Sequence, residues 1–163
     1  MRHAKSDWHS AAQADFDRPL NPRGSKDALR MGQWLNDRGL KPERLLASPA
    51  QRARQTVLAV ADTLGVKESD IVFDKELYLA DRATLLNILR TIPDTMDSVL
   101  LVAHNPGLDE LAGWLATEPP PLSESGKLMT TAAIAMFELP GNWINLQRGA
   151  ATLQHLLRPR ELS

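Results

Sequence analysis

Three short strings in this sequence hold side chains that together could handle a phosphoryl group. They are Arg2-His3-Ala4-Lys5-Ser6, Ser48-Pro49-Ala50-Gln51-Arg52-Ala53-Arg54-Gln55-Thr56 and Val102-Ala103-His104-Asn105-Pro106-Gly107. Arginine forks match phosphate oxygens and stay charged at any working pH. A neutral imidazole is a competent nucleophile toward phosphorus. In-line phosphoryl transfer asks mostly for positioning and charge neutralisation, which Arg2, Arg52 and His104 could supply around His3 without a metal. Ser6 and Asn105 stand beside these residues as further phosphate donors or as turn caps. Each string alone has an ordinary explanation: a solvated Arg-His pair, an exposed helix arginine, a histidine capping a helix. Arg54, two residues beyond Arg52, falls on a different face of any helix there and is expected to be exposed.

The elements that would position these residues are legible as alternating patterns. Short apolar runs at Leu45-Leu46-Ala47, Ile71-Val72-Phe73, Val99 to Ala103 and Ala132 to Leu139 read as buried strands. Between them, helical spacing joins Ala28, Met31 and Leu35 (a helix from about Ser25 to Arg38), then Ala53, Val57, Val60 and Leu64. It continues with Leu85, Leu89 and Ile92, and with Leu108, Leu111, Ala112 and Leu115. Gly39 and Gly65 stand where helices end. Ala151 to Leu157 reads as an edge strand. Strands alternating with helices predict an α/β fold, a three-layer α/β/α arrangement with a mainly parallel central sheet. Ser48-Pro49 and His104-Asn105-Pro106 each follow a strand and open a helix, with the proline expected in the first turn and Arg52 one turn in. Both helix N-termini then lie at the C-terminal edge of the sheet, where anions and ligands bind. The loop Thr117 to Lys127, with three consecutive prolines, is expected near that edge.

Length and composition narrow the classes. The 163 residues suit one domain, 1–163, with a substantial core. A net charge of -1 with both signs dispersed argues against nucleic-acid or membrane-surface binding. With no cysteine, thiol nucleophiles, disulfides and zinc–thiolate sites are excluded. The four histidines show no paired metal-ligand spacing. No metal or other cofactor is therefore expected. The first ten residues contain no apolar run of a secretory signal, and cytoplasm is the expected location.

The three strings, in this order, resemble the histidine phosphatase superfamily, the phosphoglycerate-mutase-like fold. The short length and the closing segment Arg148-Gly149 through Leu162 are most similar to its SixA-type phosphohistidine phosphatase branch. The resemblance implies that His3 is transiently phosphorylated, that Arg2, Arg52 and His104 hold the phosphoryl oxygens, and that water then frees phosphate. It implies as partner a phosphorylated protein or a small phosphorylated metabolite. A non-catalytic phosphate-binding module of the same fold is the alternative.

The sequence departs from the family in two places. Family members carry a central strand before the Arg-His pair; here only Met1 precedes Arg2. The first strand is therefore expected to be truncated, with the start upstream or the strand absent, and the chain to be unstable or poorly active without it. Larger members also carry an acid that protonates the leaving group. In Leu77-Tyr78-Leu79-Ala80-Asp81 no glutamate matches, which leaves Asp81 as the candidate. A phosphohistidine depends less on such an acid, because imidazole, with a pKa of roughly 6.5, leaves more readily than an alkoxide.

Overall fold

The structure, a computed structural model, describes residues 1–162. Helix α1 spans Pro22–Asp37 and begins ahead of Ser25, because Asn21 caps it by accepting from Gly24 N at 2.8 Å and Pro22 fits its first turn. It is followed by β1 (Arg44–Ala47), α2 (Gln51–Thr63), β2 (Ile71–Phe73), α3 (Arg82–Arg90) and β3 (Val99–Val102). The chain continues through α4 (Gly107–Leu115), β4 (Ile134–Glu138) and β5 (Thr152–Leu157). β1 is central to a parallel sheet of order β2-β1-β3, with Leu45 opposite Ile71 on one side and Leu100 on the other. β4 and β5 pair antiparallel.

Alternation along the strands builds the three layers. Leu45, Ala47, Leu100 and Val102 pack with Met31, Val57 and Val60 of α1 and α2. Leu46, Leu101 and Ala103 point the other way and pack with Leu85, Leu89, Leu108 and Leu111 of α3 and α4. Both faces of β1 and β3 are thereby covered, as parallel strands require, while the edge strand β2 leaves Val72 exposed.

Residues 1–3 take a strand-like place beside β3. Met1, Arg2 and His3 lie between β3 and the residues leading into β4. His3 N donates to Ala103 O at 3.1 Å and Ala103 N to Met1 O at 3.1 Å, which forms a parallel bridge. On the other side Arg2 N donates to Ala133 O at 3.0 Å and Ala132 N to His3 O at 3.1 Å. The Met1 ammonium is buried and donates to Leu101 O at 2.7 Å; desolvation pushes its pKa down to about 5. Beyond it the sheet opens into a cavity of about 800 Å³ between β3 and β4, lined by Val99, Leu100, Ile134, Met136 and Phe137. Residues 1–3 thus supply backbone hydrogen bonds to both β3 and the segment leading into β4, alongside the side-chain packing of Ile134 against Leu100 and Val102.

Two glycines allow close approaches on which the site depends. A Cβ on Gly107, the first residue of α4, would lie 2.0 Å from Ala80 O, and one on Gly24 would lie 2.1 Å from Lys5 O. The first contact sets α4 behind His104; the second sets α1 behind the segment that carries His3.

Candidate active site

β1 and β3 end level with each other, Ala47 opposite Val102. The chain then delivers Ser48 and His104 to the same edge, where the His104 Nε2 and the Ser48 Oγ are 2.8 Å apart. Residues 1–3 bring His3 there from the neighbouring position, its ring centroid 5.1 Å from that of His104. Arg52 arrives from α2. The helix starts at Gln51, with Ala50 as its N-cap and Ser48 Oγ accepting from Ala50 N at 3.3 Å. Pro49 therefore precedes the helix instead of occupying its first turn, and Arg52 is its second residue, not one turn in. Pro106 likewise caps α4 from outside. This shortens the reach that Arg52 needs: its guanidinium is buried, with Nε 3.4 Å from His3 Nε2.

Hydrogen bonding fixes the His3 tautomer. Its Nδ1 lies 2.8 Å from Ala4 O. A carbonyl only accepts, so Nδ1 carries the proton and Nε2 is the unprotonated nitrogen, which accepts the long hydrogen bond from Arg52 Nε. Burial, reinforced by His104 and the two arginines, pushes the His3 pKa down to about 3. Burial, and then Arg52, pushes His104 down to about 4. Both rings are neutral near pH 7. Ala4 is itself held: its N–H donates to Thr56 Oγ1 at 2.9 Å, and Thr56 donates to Arg52 O at 2.6 Å. One fully buried threonine thus ties the His3 segment to the turn of α2 that carries Arg52.

The cavity at this edge, about 360 Å³, is lined by Arg2, His3, Ser6, Arg52, His104 and Asn105, together with Lys5, Trp8, Asp15, Arg18, Leu79 and Thr131. The structure thus brings together six of the seven residues singled out from sequence. Arg2 is anchored by Nη1 donating to Met129 O at 2.9 Å. Asn105 Nδ2 donates to the same carbonyl at 3.2 Å, leaving its Oδ1 buried and unpartnered. Ser6 is buried and accepts from Arg18 Nη1. The His104 Nδ1 is also buried without a partner.

Asp81 is the exception. It is exposed, outside the cavity lining, and caps α3 by accepting from Thr84 N at 2.8 Å. That hydrogen bond holds its carboxyl below the usual range, the opposite of what a proton donor needs. The residue reads as an N-cap, whose requirements a sequence pattern can confuse with catalysis. The loop 117–127 also lies outside the cavity lining. Its Pro121 carbonyl instead accepts from Arg158 Nη2 at 2.5 Å.

Sequence reading missed Asp15, Arg18 and Tyr78. The Asp15 carboxylate accepts from Arg18 Nη2 at 2.7 Å, Arg52 Nη2 at 3.0 Å and the Tyr78 hydroxyl at 2.7 Å. These donors, Arg18 first, hold it ionised far below the ordinary carboxylate range. The only signal was Asp15-Phe16-Asp17-Arg18, a charge cluster that resembles any solvated turn. Two non-glycine residues with left-handed backbone also flank the site, Leu79 at φ 51° and Ala132 at φ 64°. Such strain recurs at ligand-binding positions. Among the described residues no group of three or more His, Cys, Asp or Glu could hold a metal ion, and no helix is long and apolar enough to cross a membrane.

Comparison with known proteins places this geometry. The family model of the histidine phosphatase superfamily (branch 1) matches residues 1–78. Phosphohistidine phosphatase SixA of Escherichia coli is 32% identical over 140 residues, covering 85% of this chain and 83% of that protein. An uncharacterised protein of Mycobacterium tuberculosis is 33% identical over 164 residues, covering 98% of this chain and all of the relative. Among solved structures, the protein histidine phosphatase SixA complexed with tungstate superposes with a TM-score of 0.80 at 30% identity, over all of this chain and 97% of the other.

Proposed function

Because the chain belongs to the histidine phosphatase superfamily, we propose that it hydrolyses phosphohistidine on a partner protein, or a small phosphomonoester, through a transient phosphoryl group on His3 Nε2. One observation carries this reading. The His3 Nδ1–H is committed to Ala4 O, so Nε2 is the unprotonated nitrogen; it holds only a long 3.4 Å hydrogen bond from Arg52 Nε, in a cavity that Arg2, Arg52 and His104 also line.

In the first step Nε2 forms a bond to phosphorus while the bond to the leaving nitrogen or oxygen breaks. Arg2 and Arg52 balance the charge on the equatorial oxygens, and His104, in the tautomer whose Nε2 accepts from the Ser48 hydroxyl, adds an Nδ1–H donor. Asn105 and Ser6 line the same cavity. In the second step water attacks the phosphorus, the Nε2–P bond breaks, and phosphate leaves with the neutral imidazole restored. Asp15 is pinned in its ionised form, so no carboxylic acid stands ready to protonate a leaving alkoxide. A leaving imidazole can take its proton from solvent, which favours phosphohistidine over esters. The E. coli relative carries that activity in its name.

The test is rapid quench with a labelled phosphohistidine mimic, with and without EDTA. Acid-labile, base-stable label is expected on the wild type in both conditions, and none on His3→Ala. Label that survives in His3→Ala refutes the assignment. A wild type that binds phosphate but never labels supports the non-catalytic module. Reversible loss with EDTA points to a metal phosphatase.

A further inference from the structure

Arg52, the buried cation of the site, already holds an anion. Its Nη2 donates to Asp15 Oδ2 at 3.0 Å and its Nη1 to Asp15 O at 2.7 Å, while Nε faces His3. The same carboxylate takes one donor from Arg18 and one from Tyr78. Asp15 lines the cavity beside His3 and His104. A phosphoryl group bound between His3 and Arg52 would meet a carboxylate already engaging the same guanidinium, and like charges so close repel.

The segment that brings Asp15 in is weakly held otherwise. From Trp8 to Asp17 no residue is buried, and the sequence Ala11-Ala12-Gln13-Ala14 offers little to pack. Its contacts with the body include the Asp15 ion pairs, the bonds from Arg52 Nη1 to Asp15 O and from the Tyr78 hydroxyl to its carboxylate, an edge contact of Phe16 with Tyr78 at 5.0 Å, and Trp8 under the Arg18 guanidinium at 3.7 Å. Most of these converge on Asp15 or on its partners Arg18 and Tyr78.

We infer that Asp15 is a built-in competitor for the phosphoryl group, and that the segment 8–17 is a strap. With the site empty its carboxylate occupies Arg52 and Arg18; an incoming dianionic phosphoryl group displaces it and releases the strap. The charge on the ligand decides the exchange, because a dianion gains more from the two arginines than a single carboxylate does. The apparent affinity for phosphate is then reduced by the fraction of molecules in which the strap is closed.

This inference rests on the assignment of Arg52 to phosphate binding, and the experiment separates the two. Inorganic phosphate is titrated calorimetrically into the wild type, Asp15→Asn and Arg52→Ala. Asp15→Asn is expected to bind phosphate at least about fivefold more tightly than the wild type, and Arg52→Ala not at all. Weaker or equal binding by Asp15→Asn overturns the strap while leaving the site intact; undiminished binding by Arg52→Ala overturns the site itself. A second measurement needs no variant. Saturating phosphate should raise amide hydrogen exchange in residues 8–17 of the wild type, and unchanged or slower exchange there overturns the strap.

Discussion

Arg52 and Arg54 are two residues apart on α2 and live in opposite environments. The Arg52 side chain is 3% exposed, with its guanidinium against His3 and Asp15; the Arg54 side chain is 39% exposed, pairs with Glu68 and lies over the Phe73 ring. Two helix steps of about 100° each turn the second arginine away from the cavity. Arg52→Ala should therefore lower kcat/KM by two orders of magnitude or more, roughly the loss seen when one charge-stabilising donor is removed. Arg54→Ala should stay within about twofold of the wild type, since an exposed ion pair contributes about 0–1 kcal/mol. Steady-state kinetics of the two variants decides it; equal damage would mean that Arg54 also reaches the substrate.

The two neutral histidines contribute one part of the pH dependence of stability, beside the buried Met1 ammonium. Burial pushes His3 down to about 3 and His104 to about 4, while an unfolded chain takes up those protons near 6.5. The unfolded state binds more protons across that interval, so stability should fall as pH drops from about 6.5 through about 4 to 3. Above about 6.5 these two groups should contribute no pH dependence. The check is twofold: melting temperature between pH 4 and 7, and imidazole proton shifts by NMR. Resonances of His3 and His104 that titrate near 6.5 in the free protein would contradict the desolvated site.

Thr56 ties His3 to Arg52. Thr56→Val keeps the shape and removes the hydroxyl, which leaves the buried Ala4 N–H without its acceptor. An unsatisfied buried donor costs about 1–3 kcal/mol. The variant should melt at lower temperature, and kcat should fall more than KM rises, because the His3 segment loses its tether while Arg2 and Arg52 remain. Thr56→Ser should restore both, and calorimetry alongside steady-state assays measures it. A fully stable Thr56→Val would show that the hydroxyl is not what holds Ala4.

The strand-like place of residues 1–3 predicts a gain of stability by extension. Six to eight apolar residues, roughly one typical strand, fused ahead of Met1 would run into the cavity between β3 and β4. There they would extend the ladder that Met1–His3 already makes with Leu101, Ala103 and Ala133, and the buried ammonium would become an amide. Each fully buried aliphatic side chain adds about 1.5–3 kcal/mol. The fused protein should melt higher and turn over faster in side-by-side calorimetry and phosphatase assays. Equal values for the two proteins would show that residues 1–3 alone fix His3.

What the sequence determined by itself was the set of elements and the edge at which chemistry happens. Runs such as Leu45-Leu46-Ala47 and Val99 to Ala103 are too short and too apolar to be anything but buried strands, and the residues after them necessarily emerge together at one edge. Periodicity was equally decisive for α2, where Ala53, Val57 and Val60 are buried as their spacing requires. Local chemistry explained less well where one residue type serves two purposes. Asp81 followed by Arg82-Ala83-Thr84 is as good an N-cap as a proton donor, and only its bond to Thr84 N distinguishes them.

Tertiary structure alone decided the electrostatics. Asp15 and Arg52 are thirty-seven residues apart in sequence, and Asp15 and Tyr78 sixty-three, yet they meet in one cluster. No periodicity encodes such a contact, because it depends on how the strap 8–17 lies across the finished sheet edge. The His3 tautomer belongs to the same category. Imidazole has two equivalent-looking nitrogens in a sequence, and the fold makes them different by turning one toward Ala4 O and the other toward Arg52 Nε.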